Sequence, residues 1–509
     1  MTDALSALTS LVTPGVIFYM FVGVLIGFII GALPGLSATM AIAILTPVTF
    51  WLEPAAGFSM LIGVWNSAIF AGGVSAILIN TPGTPASFMQ TLDGYAMYKQ
   101  GRGGLALGIN VIYSAFGGLV SILALSILAF PIARFAVKFG PTEYFALALF
   151  GLCMMITISG GNILKGMAMG FAGILVATIG LDPITAVHRY TFGQASLLNG
   201  ISYIAIMIGM FGIGEVLFQI SQRRQHVDTA AKEEQDANLA IGRIIPTRKE
   251  FKDLALPSLV AAVIGIVVGA VPAAGGNIST IIAWGQGKKM SKHPEEYGKG
   301  SVEGLAVTSV ANNATIGGAM ITMLTLGIPG DTVSAIMIGA LTMYGMTPGV
   351  KMFSENVDFV YKIIWLSIFA SLVFLVFGLA TAKATAKMLR IKQEVVWTMV
   401  CVFCIVGSYA IQNSFTDVII MIIGSIVGYF AKKHNYPIGP LILGMILGPM
   451  MESNLRRALI LSHNSLSIFV TRPVTVVILL LIVIAFSWGP ISGLLGKKKA
   501  AEEKPEMVD

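Results

Sequence analysis

The chain has 509 residues, 56% of them apolar and 11% charged, with a formal net charge of +7 and a mean hydropathy of +0.84. A soluble domain carries about 25% charged residues, so a soluble globular fold is excluded and no nucleic-acid partner is expected. At about 20 apolar residues per helical crossing, the length supplies about ten to twelve crossings, which also excludes a single-span anchor.

In chain order, the N-terminal "MTDALSALTS" has no basic segment ahead of an apolar core, so no cleavable signal peptide is expected. Candidate spans in the first half are 15–33, 58–79, 105–130, 144–158, 163–179 and 198–220. In the second half they are 256–271, 304–326, 360–380, 395–411, 418–430, 438–450 and 474–488. These runs are continuously apolar, whereas strands of a membrane barrel alternate, so the expected fold class is all-α and polytopic, with the lipid bilayer as its surroundings. Cys153, Cys401 and Cys404 lie within apolar runs and are expected to pack as small hydrophobes.

The segment 221–254 mixes both charge signs and is expected to be a polar linker between a first membrane repeat (1–220) and a second (255–495), followed by a charged tail (496–509). "GALPGLSAT" from Gly31 is echoed by "GAVPAAGGNIST" from Gly269, 238 residues later. "INTPGTPAS" is echoed by "LGIPGDTVS", which matches Pro82 to Pro329 at a spacing of 247. Tyr98 then matches Tyr344, and Glu143 and Gly173 match Glu394 and Gly424, so four landmarks recur in order. A duplication of this kind, with Gly/Pro-broken apolar segments at corresponding positions, is the pattern of secondary transporters whose discontinuous helices meet near the bilayer midplane.

Backbone groups freed inside lipid must be satisfied by protein, water or ligand, so the breaks mark the expected site. Helices restarting after Pro-Gly point N–H groups into the cavity, which suits an anion, and the preceding helix ends offer carbonyls to a cation. The expected substrate-binding residues are Gly35, Ser37, Asn80, Thr81, Pro82, Gly83, Thr84 and Ser87 in the first half. Gly275, Gly276, Asn277, Gly327, Pro329, Gly330, Asp331 and Thr332 are their second-half equivalents, with Thr39, Ser279 and Thr280 close by. Asp331 follows a Pro-Gly where a helix restarts and is expected to cap it, with cation binding as the other reading. A Na+ site is expected near Asn312, Asn313 and Thr325.

Lys99 and Arg102 read as solvated charges at a loop, and Glu143, Glu215, Glu394, Glu452, Arg456 and Arg457 as interfacial charges at span ends. No P-loop, His-Glu-x-x-His or Gly-x-Ser-x-Gly motif occurs, and "GQGKK" at Gly285 reads as a helix end, so the chain is not expected to be an enzyme or to hold a cofactor. The basic residues of the linker, Arg223 through Lys252, predict a cytoplasmic linker and an outside N-terminus, while the lysines of the tail pull the other way.

Together "NTPGTPAS...DGYAMYKQG", "TLGIPGDTVSAIMIGAL" with "MYGMTPG", and "GALPGLSAT" resemble the large membrane subunit of the tripartite tricarboxylate transporters, from about Gly15 to Pro490. "VPAAGG" departs from the Pro-Gly form of that family at Ala273. The resemblance implies a multi-pass permease of the bacterial inner membrane that imports citrate-like tricarboxylates or other carboxylates. It further implies a small membrane subunit, a periplasmic substrate-binding protein, and coupling to Na+ or H+. An elevator-like movement of the central loops is the expected mechanism. A channel subunit, which needs a charged or polar lining, and an intramembrane enzyme, which needs an ionisable cluster within the spans, are the competing readings.

Overall fold

The computed structural model describes residues 2–33, 36–158, 163–226, 242–272, 274–382 and 393–485. Among them, eight helices are long and apolar enough to cross a membrane, and shorter apolar helices lie between them. The only sheet among the described residues is one pair of two-residue strands. The protein is therefore an all-α polytopic membrane protein.

The chain divides into two compact units, one of residues Met1–Lys138 and Ile201–Ile438, the other of Phe139–Gly200 and Gly439–Asp509. In the first unit α1 (Thr2–Leu11) leads to α2 (Pro14–Ala32), whose N-terminus is set by Pro14 and by the Thr13 hydroxyl accepting from Val16 N–H. After the break at 34–35 come α3 (Ala38–Thr49) and α4 (Pro54–Ile79), then the short α5 (Phe88–Met97) and the long α6 (Gly103–Ala136). Gly23 and Gly31 let α2 lie against α4: a Cβ on either would sit 2.2 Å from the Met60 carbonyl oxygen or 2.4 Å from that of Ala68. Small residues at this spacing are how membrane helices bring backbones together without an aqueous hydrophobic drive.

The second unit contains α7 (Pro141–Ile158) and α8 (Ile163–Ala177) together with the helix Gly439–Leu461. Between α8 and residue 200 a hairpin pairs Gly180 with Arg189 and Leu181 with His188. Its turn is tied by Asp182, which accepts from Ile184 and Thr185 N–H and from Arg456, while Arg189 forks onto Glu452 at 2.6 and 3.1 Å. The backbone N–H groups of Thr185 and Ile184, with Arg456 beside them, hold the Asp182 carboxyl well below the usual carboxylate range. Glu452 and Arg456, expected as interfacial charges, are thus members of an ion-pair network.

The chain re-enters the first unit with α9 (Tyr203–Ile208), a π-helical step and α10 (Gly214–His226). Part of the expected linker, 227–241, lies outside the described residues. Thr247 and Glu250 form a capping box that starts α11 (Arg248–Ala270), so the linker's last basic residues begin a helix. Next come α12 (Gly275–Met290), α13 (Val302–Leu326), α14 (Thr332–Met343), the single turn α15 (Met352–Glu355), and α16 (Val357–Thr381). Helices Gln393–Gln412 and Phe415–Lys433 complete the unit. Cys404 is buried, Cys401 half-buried, and all three cysteines are free thiols. Glu215 pairs with Lys432.

Helix α13 is long enough to span a bilayer yet is not among the eight most apolar helices. Thr308, Ser309, Asn312, Asn313, Thr315 and Thr325 on it are all buried, so it is a protein-facing helix at the centre of its unit.

Candidate functional site: four broken helices

Four apolar helices of the first unit stop inside it, at residues 33, 80, 271 and 327. Helices α2 and α11 end alike, with Leu33 at φ −85°, ψ 120° and Val271 at φ −82°, ψ 120°. Helices α4 and α13 also end alike, on a left-handed residue: Asn80 (φ 54°) and Gly327 (φ 71°). Downstream, the chain restarts through a capping box in both halves. Thr84 and Ser87 form one ahead of α5, and Asp331 and Ser334 the other, with Asp331 Oδ1 accepting from Ser334 N–H at 2.7 Å. Asp331 therefore caps α14, and Thr84 is its first-half counterpart.

The two glycines of the Pro-Gly pairs are fixed by sterics. Gly83 donates its N–H to the Gly72 carbonyl at 3.1 Å, and a Cβ there would lie 2.2 Å from the Gly31 carbonyl oxygen. A Cβ on Gly330 would lie 2.4 Å from the Gly269 carbonyl oxygen. Each Pro-Gly loop thus rests on the last turn of the preceding broken helix. Between halves, Thr39 and Thr332 share a hydrogen bond of 3.0 Å. Gly276 stands against Ala86 and Asn312, each 2.7 Å from where its Cβ would be, and Gly275 stands 3.6 Å from the Asp331 Cβ by the same measure. All four breaks are therefore adjoining.

The polar groups at this junction are unequally occupied. Ser37 caps α3 by accepting from Met40 N–H, so it serves the helix that follows it. Ser279 and Thr280 donate to the Gly276 carbonyl, each at 3.0 Å. Asn80, Thr81 and Asn277 are exposed, Pro82, Gly276, Gly327, Asp331 and Thr332 half-buried, and Gly83, Thr84, Ser87, Gly275, Pro329 and Gly330 buried. Gly35 lies outside the described residues. Helix α12 differs from the other restarts: its Ala274 cap makes no side-chain hydrogen bond, and the next two residues are glycines.

The expected cation residues do not form one shell. Asn312 and Asn313 are fully buried and donate their amides to the Ile69 and Asn66 carbonyls of α4, at 3.5 and 3.3 Å. Thr325 bonds Ile321 O within its own helix, thirteen residues further along α13, which at 1.5 Å per residue is about 20 Å away. One ion cannot touch both ends.

Two buried polar residues close to the junction, Gln90 and Asp93, carry no signal in the sequence pattern. Gln90 Nε2 donates to Asn110 Oδ1 at 3.1 Å and to Ser309 Oγ at 3.0 Å. Asp93, fully buried, accepts from Gly298, Gly300 and Ser301 N–H at 2.8 to 3.2 Å and from Trp284 Nε1 at 2.8 Å. Arg102, expected to be solvated, reaches the Gly300 carbonyl of the same segment at 3.4 Å, while Lys99 lies over the Tyr95 ring.

The sequence profile described as the tripartite tricarboxylate transporter TctA family matches residues 17–443. A protein of Agrobacterium vitis, described as "Uncharacterized 52.8 kDa protein in TAR-I ttuC' 3'region", is 35% identical over 465 residues, covering 91% of this chain and 90% of that protein. A second from the same organism, "Uncharacterized protein in TAR-II ttuC' 3'region", is 33% identical over 210 residues, 41% of this chain and 87% of the relative. No solved structure matches. With the profile spanning most of the chain and broken apolar helices meeting at its centre, the chain belongs to the tripartite tricarboxylate transporter TctA family and is a multi-pass membrane transporter subunit.

Proposed function

We propose that this chain is the permease subunit of a secondary transporter that imports citrate-like tricarboxylates or related carboxylates across a bacterial inner membrane. Its partners in this reading are a periplasmic substrate-binding protein and a small membrane subunit, and a Na+ or H+ gradient drives it. The observation that carries the reading is the junction of four broken helices inside one apolar unit. A carboxylate fits there because helix restarts present N–H groups and hydroxyls while no buried cationic side chain is required. Asn80, Thr81 and Asn277 are the side chains open to substrate, with the N–H groups of Gly275 and Gly276 beside them.

The same reading includes an inverted duplication. What supports it is that the helix ends at 33 and 271, the left-handed caps at 80 and 327, and the capping boxes at 84–87 and 331–334 repeat at the spacings 238 and 247. Asn313 also donates to the backbone of Asn66, its own equivalent at spacing 247, as expected where a two-fold relation passes between facing helices. Alternating access is then an elevator-like movement of the loops and the helices that carry them. The test is counterflow of labelled carboxylates in proteoliposomes holding both membrane subunits, with and without binding protein. Carboxylate exchange is the expected result, and its absence in every combination would overturn the proposal.

A further inference from the structure

The segment 178–202, which joins α8 to α9 and contains the hairpin, holds only two acidic or basic residues other than histidine, Asp182 and Arg189. Soluble surfaces carry about 25% charged residues, so a loop bathed in water would hold several more. Neither charge is free. Arg189 meets Glu452 at 2.6 Å and Asp182 at 3.6 Å, while Arg456 meets Asp182 at 2.6 Å and Glu452 at 3.4 Å, so two cations and two anions close on one another. What the segment turns outward is apolar: Val187 and Tyr190 are each 60% exposed and Phe192 85%, and Leu181 and Ile184 are exposed as well. Tyr190 and Phe192 sit at φ 52° and 50°, a region that bulky residues seldom enter and that persists only where the surroundings hold it.

Helix α8 has 15 residues, about 22 Å at 1.5 Å each, against about 30 Å of hydrocarbon. The helix Gly439–Leu461 has 23 and runs on past it. Its Gly444 and Gly448 pack against α8 at Gly170 and Ala177, and further along the same helix Glu452 and Arg456 hold the hairpin. Beyond Arg456 it still exposes Ile460 and Leu461, each to 64%. Apolar surroundings therefore extend past the level at which the hairpin is tied, and the hairpin occupies the length that α8 lacks.

We infer that the hairpin is an interfacial membrane anchor, with Val187, Tyr190 and Phe192 entering the headgroup–acyl boundary of the bilayer. An uncharged apolar tip with an aromatic hydroxyl suits that boundary. The strand pair satisfies backbone groups there, and the closed set of four charges behind it puts no lone ion near the acyl chains. Arg457, exposed beside the network, marks the headgroup level, which a long basic side chain reaches by extending toward water.

The test uses the full chain in phosphatidylcholine liposomes, with Cys401→Ser so that only the two buried thiols remain. Val187→Cys and Phe192→Cys each carry a nitroxide, whose collisions with oxygen, which concentrates in lipid, and with a water-soluble nickel chelate are read by electron paramagnetic resonance. Lys292→Cys is the water-facing reference and Val376→Cys, on the exposed face of α16, the lipid-facing one. The oxygen-to-nickel ratio at 187 and 192 is expected to be several-fold above that at 292 and to approach that at 376. Should one hairpin variant fail to fold, the other decides. A ratio equal to that at 292 means a tip in water, open to a soluble partner, and overturns the inference. Shielding from both reagents means a tip covered by protein and overturns it equally.

Discussion

Gly83 and Gly330 are tightly constrained against substitution, because what a side chain there would meet is backbone. A Cβ at 2.2 Å from the Gly31 oxygen, or 2.4 Å from that of Gly269, cannot be relieved by a rotamer change. Gly83→Ala and Gly330→Val are therefore expected to abolish uptake at a cost of about 1–3 kcal/mol each, with membrane insertion retained. Gly285→Ala, which meets nothing within 4 Å, is the matched control. Radiolabelled uptake beside membrane-fraction blots reads the difference, and wild-type uptake in both junction variants would sink the site assignment. Asp93 is the second case: Asp93→Ala leaves three backbone N–H groups and the Trp284 indole without their acceptor. A loss of about 1–3 kcal/mol or more in thermal stability follows, and Asp93→Asn, which keeps one oxygen, should lose less.

Among the elements, α14 separates a capping role from an ion-binding role for the same aspartate. Asp331→Asn keeps a side-chain oxygen for Ser334 N–H and should leave helix and uptake close to wild type. Asp331→Ala should cost about 0.5–2 kcal/mol, seen as a lower Tm and reduced uptake. Uptake lost equally in both would mean that the charge, not the cap, is required. The breaks themselves were legible in the sequence because Pro-Gly inside an apolar run has few physical uses. Gln90 and Asp93 were not, since they sit on a ten-residue helix beyond the break and their partners lie about 200 positions away. Thr325 and Asn312 are both polar residues near the breaks in sequence, and only a continuous α13 shows them to be half a helix length apart. The contact of Arg102 was hidden for a related reason: its acceptor is a backbone carbonyl of the other half.

At the scale of the whole molecule, the two compact units do not follow the two sequence halves, since each combines segments far apart in the chain. A recurring contact explains how this arises. Gly173 and Gly444 pack on the backbones of Leu441 and Gly170 in one unit, and Gly424 and Gly209 on those of Ile206 and Met421 in the other. In both cases an early helix pair receives a helix from the opposite half. This exchange was invisible in hydropathy, which reports that a run crosses but not what it packs against. Lys288, Lys289, Lys292 and Lys299 lie in one segment, which by the positive-inside rule is expected to face the cytoplasm. A cysteine placed at Lys292, which is exposed, should therefore react with an impermeant maleimide in inverted vesicles and not in intact cells. The reverse pattern would overturn the expected orientation.

The paired capping boxes have one further consequence. Thr84 and Asp331 do the same geometric work, but only one is acidic, so the two walls of the junction match in shape and differ in charge. On the permease reading proposed above, a polyanion resting between them would be displaced away from the Asp331 wall, so a substrate with unlike ends would be seated one way round, its most negative end on the first-half side.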